Sequence, residues 1–441
     1  LRGLITALRG QEAFYSSQAA RAIAYSEEAF ALLPERWRYA RGGALMFWGM
    51  SLRATGQGET VHRRLMDEYE SLLGKIDAYT LRILLTICFN ALETGNLEQV
   101  RQVAQALLEQ ATQSQLVILQ GWAHYFLGVV HYQWNELDAA AHHFKQVVDR
   151  RYVVHVQAAR NSLIGLAWVH RARAEPLAAW QRVELLCELD VEHTGQVRED
   201  ALSLRAELEV SRGGITRALR WVDAYAAPAP ERLLNWLQDP HLAKAQILLA
   251  QGAAANVQAA LDILRALDEL AQRAFSPGFR IKLLALCAVA LAAQGKAGAA
   301  LAALTQAVEL ARPGGFIRVF VDLGPAMQTL LLQLVEQGNA AVTVRPILAA
   351  FPAPHTQTAT SQSTFGVRAA NTGMTDPLTS RELEILALLP ERLSSKEIAR
   401  RLGIAPTTVK RHTVNIYGKL GVNKRWDAVI KAESLSLLPR R

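Results

Sequence analysis

A short turn recurs along most of this chain, and its spacing constrains the fold more than any single motif. Three stretches show it: ALETGNLEQVRQVAQALLEQA (91–111), HYQWNELDAAAHHFKQVV (131–148) and LAAQGKAGAALAALTQAVELA (291–311). In each, an apolar helical segment meets a turn containing Gly or Asn, and an amphipathic helix follows. The residues seven positions before the turns are Gly49, Cys88, Gly128, Ala167, Ala206, Ala245 and Ala288, at intervals of 39, 40, 39, 39, 39 and 43. The last interval includes the longer turn GAAANVQ at 252–258. Twelve positions after most anchors stands a further residue, often alanine: Ala140, Ala179, Ala218 and Ala300. Four further on stands Phe144, Val183, Val222 or Leu304. That spacing puts a small residue where two helices cross and a large one in the adjoining gap.

A single helix pair cannot bury its apolar stripe, but stacked pairs form a continuous core. The pattern resembles tetratricopeptide (TPR) repeats, with a period somewhat above their roughly 34 residues. It predicts an all-α, TPR-like helical-hairpin solenoid over residues 1–350. Residues 1–40 read as one more, incomplete hairpin, with Ala22 and Ala29 on its second helix. GFIRVFVDLG (315–324) reads either as a short extended segment or as the start of a helix. One or two helices around 325–351 cap the array. Arrays of this kind present a concave binding surface, so an unidentified inducer or partner protein is expected there.

Composition narrows the class. Half of the 441 residues are apolar, which suits a folding chain. No apolar run approaches the ~20 residues a membrane span needs, and no leader pattern opens the sequence. The chain begins at Leu1 within a helical pattern and is expected to be a fragment lacking an N-terminal part. Cys88, Cys187 and Cys287 lie far apart in apolar helical contexts, as buried thiols of a reducing cytoplasm would. No phosphate loop, dinucleotide fingerprint or HExxH motif occurs, so no catalytic residue, cofactor or enzyme activity is assigned to this chain. His124, His131, His142 and His143 gather in one repeat, but no metal site is expected without converging carboxylates or thiols. Trp122, Tyr125, Trp134 and Trp168 either line a pocket or pack the core.

Charge is unevenly placed. Residues 377–441 carry 13 Lys and Arg against 6 Asp and Glu, which accounts for seven of the eight net positive charges. A small basic module behind a near-neutral body points to nucleic acid as its partner, and the helix-turn-helix within it makes double-stranded DNA the expected one. Residues 351–376, rich in Thr, Ser, Gln, Ala and Pro, read as a flexible linker to that module.

Within the module, Thr379-x-x-Glu382 and Ser394-x-x-Glu397 are capping boxes that start two helices. Leu383, Ile385, Leu386 and Leu389 face inward on the first, and Ile398, Ala399 and Leu402 on the second. Gly403 ends the second helix, and Pro406 fits the first turn of a third. Val409, Thr413, Ile416, Tyr417 and Leu420 form the third helix's inner stripe. Helix, tight turn and helix make a helix-turn-helix, whose second helix enters the DNA major groove. The expected base-facing residues are Thr407, Thr408, Lys410, Arg411 and Val414. His412, Asn415 and Lys419 are expected on the flanking backbone, and Ser395 and Lys396 on a phosphate. A final helix, about 426–437, offers Ala428, Val429, Ala432 and Leu435 either for pairing two copies on DNA or for closing a four-helix core.

The module closely resembles the LuxR-type DNA-binding domain. The resemblance rests on Leu378-Thr379-x-Arg381-Glu382, Glu397-Ile398-Ala399, Thr408-Val409-Lys410-x-His412, Asn415-Ile416-Tyr417-x-Lys419-Leu420, Arg425 and Ala428-Val429. It adds Arg425 to the DNA-binding set. Departures are Ala405 at the third helix's cap position, Pro390-Glu391-Arg392 in place of the usual Gly in the loop before the second helix, and Val414, which could meet a thymine methyl. The front part resembles the repeat region of the large MalT-like regulators, including Arg312-Pro313-Gly314-Gly315-Phe316-Ile317-Arg318-x-Phe320-x-Asp322-x-Gly324. That implies an ATP-binding switch domain upstream, a cytoplasmic activator acting with RNA polymerase, and no membrane. The rival reading is a TPR-like protein-binding scaffold with subsidiary DNA contact, or a piece of a signalling ATPase.

Overall fold

The computed structural model describes residues 1–16, 18–71, 77–226, 237–338, 341–352, 380–391, 393–402, 406–420, 422 and 425–434. All regular structure among them is helical. The chain divides into two compact units, Leu1–Pro354 and His355–Arg441. Of the expected linker, all but the first two residues lie outside the described ones.

The first unit stacks antiparallel hairpins. They are α1 (Arg2–Tyr15) with α2 (Ala19–Leu32), α3 (Arg38–Ala54) with α4 (Gly58–Ser71), and α5 (Ala78–Thr94) with α6 (Leu97–Gln113). Next come α7 (Val117–Gln133) with α8 (Leu137–Val148), α9 (Val156–Ala172) with α10 (Pro176–Thr194), and α11 (Glu199–Ser211) with α12 (Ile215–Ala224). Then follow α13 (Pro240–Gln251) with α14 (Ala254–Arg273), and α15 (Pro277–Ala293) with α16 (Ala297–Ala311). The one-turn α17 (Arg318–Val321), α18 (Gly324–Glu336) and α19 (Ala341–Ala349) close the far end. The 315–324 stretch is therefore helical where it is regular, and residues 1–40 hold a full hairpin.

The repeat is fixed in the backbone. Gly56, Gly95, Asn135, Ala174, Gly213, Gly252 and Gly295 all have positive φ, and each lies seven residues after its anchor. In the seven hairpins from α3–α4 to α15–α16, a left-handed residue ends the first helix and turns the chain back. Glycine suits five of these positions, asparagine tolerates its own, and Ala174, at φ 57°, bears strain. Helix starts are equally local. Asp77 accepts from the Tyr79 and Thr80 amides at 2.9 Å each, and Asn96 accepts from the Gln99 amide at 3.1 Å.

The anchors and their partners are buried as the spacing requires. Cys88, Ala167, Ala245, Ala288, Ala140, Ala179, Ala218 and Ala300 have no exposed surface. Phe144 lies between Gly128 and Gly165, and a Cβ on either glycine would collide with its ring. Tyr125 is wholly buried, and Trp122 packs edge-on to Phe89 at 5.2 Å. The three cysteines are free thiols, two buried and one half-buried. His124 and His143 approach to 3.0 Å between their Nδ1 atoms, and His131 stacks on His143. No three metal-ligating side chains converge among the described residues.

Contacts distant in sequence draw the array into a closed turn. Arg53 donates to the Phe275 carbonyl at 2.9 Å, and Ser276 Oγ donates to Glu93 at 2.6 Å. Trp134 Nε1 donates to the Gly314 carbonyl at 2.9 Å, and the Ile317 amide to the Gln133 carbonyl at 2.8 Å. Tyr132 Oη donates to Asp322 at 2.7 Å. These form a seam between the second to fourth hairpins and the segment from the α14–α15 turn to α17.

Candidate nucleic-acid interface

The second unit is built from α20 (Ser380–Leu388), a 3-10 turn at Leu389–Glu391, α21 (Ser395–Leu402), α22 (Pro406–Leu420) and α23 (Arg425–Ser434). The predicted apolar stripes meet in one core. Ile385, Leu386, Leu389, Ile398, Ala399, Val409, Ile416 and Leu420 are all buried together. Burying about eight such side chains is the main force holding helices this short.

The cap of α21 is fully formed. Ser394 donates its amide to Glu397 Oε2 at 2.7 Å, and the Glu397 amide donates to Ser394 Oγ at 3.3 Å. The Ser394 hydroxyl, donating to Glu397 Oε2 at 2.7 Å, and then the Ser394 amide hold the Glu397 carboxyl below its ordinary range. The other expected capping box cannot be placed, since Thr379 lies outside the described residues. Gly403 and Ala405 do too.

α22 has two faces. Val409 and Ile416 point into the core, while Lys410, Arg411, Val414 and Asn415 are exposed, Val414 to 68%. Positions 410 and 414, and 411 and 415, are each one helical turn apart. The outer face therefore carries an ammonium, a guanidinium, a methyl pair and a carboxamide on adjacent rows. Thr408 and His412 are half-buried at its margin, and the Thr407 side chain lies outside the described residues. On α21, Lys396 is exposed and Ser395 half-buried.

Two expectations need correction, and one pair of alternatives is narrowed. Arg425 does not join the exposed face: its guanidinium donates to the Leu389 carbonyl at 2.9 Å and the Leu393 carbonyl at 2.6 Å. It ties α23 to the loop between α20 and α21, where backbone carbonyls have no helical partner. Lys419 is turned inward, 3.0 Å from the buried Glu382 carboxylate on α20. Of the two alternatives for the α23 stripe, the burial of Ala428, Val429 and Ala432 in the unit's own core fits closure of the four-helix bundle. Leu435 lies outside the described residues. Sequence spacing identified these residues as important without showing which way their side chains turn.

Comparisons with known proteins agree with this construction. The model for the MalT-like TPR region matches residues 3–337, and that for bacterial regulatory proteins of the luxR family matches residues 376–432. Two curated relatives, both named HTH-type transcriptional regulator MalT and both from Klebsiella pneumoniae, are 33% identical over 240 residues. The match covers 51% of this chain and 26% of each relative. Among solved structures, a tetratricopeptide repeat protein from Parabacteroides merdae aligns at 15% identity with a TM-score of 0.39, over 62% of this chain and all of that one. With three quarters of its length matching the repeat-region model and a luxR-family module behind it, the chain belongs to the MalT-like family.

Proposed function

We propose that this chain is the sensing and DNA-binding part of a transcription activator. The observation that carries the reading is the outer face of α22, where Lys410, Arg411, Val414 and Asn415 stand exposed on a helix braced by a buried inner stripe. Lys and Arg suit guanine O6/N7 or phosphate, Asn suits adenine, and a valine methyl suits the thymine methyl. In this reading Lys396 and Ser395, at the start of α21, hold a phosphate. The relatives' name, HTH-type transcriptional regulator MalT, supports the same reading.

In this reading the repeat array takes an inducer or partner protein, and the module recruits RNA polymerase in the cytoplasm. Two copies would pair on DNA through surfaces other than the buried α23 stripe. Selection of genomic DNA by the purified full chain, repeated at several stated salt concentrations, tests the proposal. A common, two-part sequence among the recovered fragments is the expected result. Uniform recovery at every salt concentration, from a folded protein, would move the assignment to a protein-binding scaffold.

A further inference from the structure

The repeat array contains a cavity of about 350 Å³ beside the seam, within the size range of small-molecule sites. Its walls come from α1, α3, α4, α5, α7 and α14, and from the starts of α9 and α11. Phe47, Met50, Phe89 and Trp122 make much of the surface apolar. Against it stand three arginines, Arg53, Arg82 and Arg198, and one acid, Glu93, which already accepts from Ser276.

The arginines are poorly compensated. Arg53 is only 7% exposed, and its guanidinium hydrogen-bonds two neutral oxygens, the Phe275 carbonyl and Asn90 Oδ1, while the Glu93 carboxylate offsets part of its charge without an ion pair. Arg82 lies over the Tyr39 ring at 4.5 Å, and its buried Nε has no hydrogen-bond partner. Neither forms an ion pair among the described residues. Arg198 has a carboxylate only at 3.9 Å, that of Asp200. A buried cation whose charge is only partly offset is costly, and an anion in the cavity would remove more of that cost. His155, also on the wall, is pushed below its ordinary value by burial and then by Arg82, so it adds no charge near neutrality but can donate or accept a hydrogen bond.

The geometry points to this cavity as a binding site for a small aromatic carboxylate, its ring against Phe47, Phe89 and Trp122 and its anionic group toward Arg53 and Arg82. The assignment rests on the array being the ligand-binding part of the protein. It names the class of ligand, and it places that ligand where Arg53 already reaches across the seam to Phe275.

Calorimetric titration of the full chain with 2-naphthoate and with 2-naphthamide, its neutral counterpart, tests the assignment. The acid should bind at least about tenfold more tightly than the amide. Arg82→Gln should abolish that preference while leaving the helical circular dichroism unchanged. Arg53→Gln should do the same; if it fails to fold, the half-buried Arg82 position still decides. Equal binding of acid and amide, or an Arg82→Gln protein that keeps the preference, overturns the anion assignment but leaves a ligand-binding array. No saturable binding of either compound overturns both.

Discussion

Lys419 Nζ lies 3.0 Å from the Glu382 carboxylate, joining the end of α22 to the start of α20 through a largely buried ion pair. Removing one partner leaves the other charge poorly solvated. Glu382→Ala should therefore lower the stability of the second unit by about 2 kcal/mol, the range of a hydrogen bond to a charged group. Differential scanning calorimetry of the full chain would show one transition moved down and the array's transition in place. An unmoved thermogram would mean the pair contributes nothing.

Lys410 and Arg425 should respond to alanine in opposite ways. Lys410→Ala should weaken specific DNA binding by about 1–3 kcal/mol if it reads a base, and should leave the melting temperature alone. Uniform weakening on all sequences with a reduced salt dependence would make Lys410 a phosphate contact instead. Arg425→Ala should lower the melting temperature first, because it strands the Leu389 and Leu393 carbonyls. Its salt slope should match that of the unaltered chain.

Ala174 occupies the left-handed turn position that glycine holds in five other repeats. Ala174→Gly should relieve roughly 1–2 kcal/mol of backbone strain, less the cost of a freer unfolded chain, for a net gain of roughly 0.5–1 kcal/mol. A rise in the urea midpoint checks it, and a fall would show that the turn is held without strain.

Two histidines make the array acid-sensitive. Burial pushes His124 and His143 down to about 4 from the ordinary 6.5, with the neighbouring imidazoles, and Arg150 beside His124, adding to the effect. A folded value below the unfolded one means the fold refuses a proton that the open chain accepts. The stabilising contribution is complete above about pH 6.5 and is lost as pH falls towards about 4. The urea midpoint should fall over that window, and less steeply in His143→Gln. Parallel pH profiles would exclude these imidazoles as the cause.

The sequence carried the repeat because its determinants are local. A left-handed turn residue, a small anchor seven positions before it and a partner twelve positions after the anchor all lie within one period. The α22 faces were legible for the same reason, as Val409 and Ile416 fall on one side and Lys410 and Val414 on the other. What stayed hidden depends on residues far apart. Nothing in the neighbourhood of Arg425 reveals that the Leu389 and Leu393 carbonyls await it. The stripe Ala428, Val429 and Ala432 is the same pattern whether it faces its own bundle or a second copy, and only the packed unit decides. The cavity is half visible in the sequence: Trp122 stands out as a pocket candidate, but the wall it shares with Arg53 and Arg82 needs the array to curl.

The seam has a consequence for how this protein folds. An open stack of hairpins touches only its nearest neighbours, so it can nucleate anywhere and fray from either end. Here Arg53 with Phe275, Glu93 with Ser276, and Trp134 with Gly314 bridge separations of 180 to 222 residues. Those contacts form only after the intervening hairpins are in place, which raises the contact order of an otherwise local helical fold. The array should thus assemble piecewise but come apart as a unit, with the last bonds made in folding binding its two edges together.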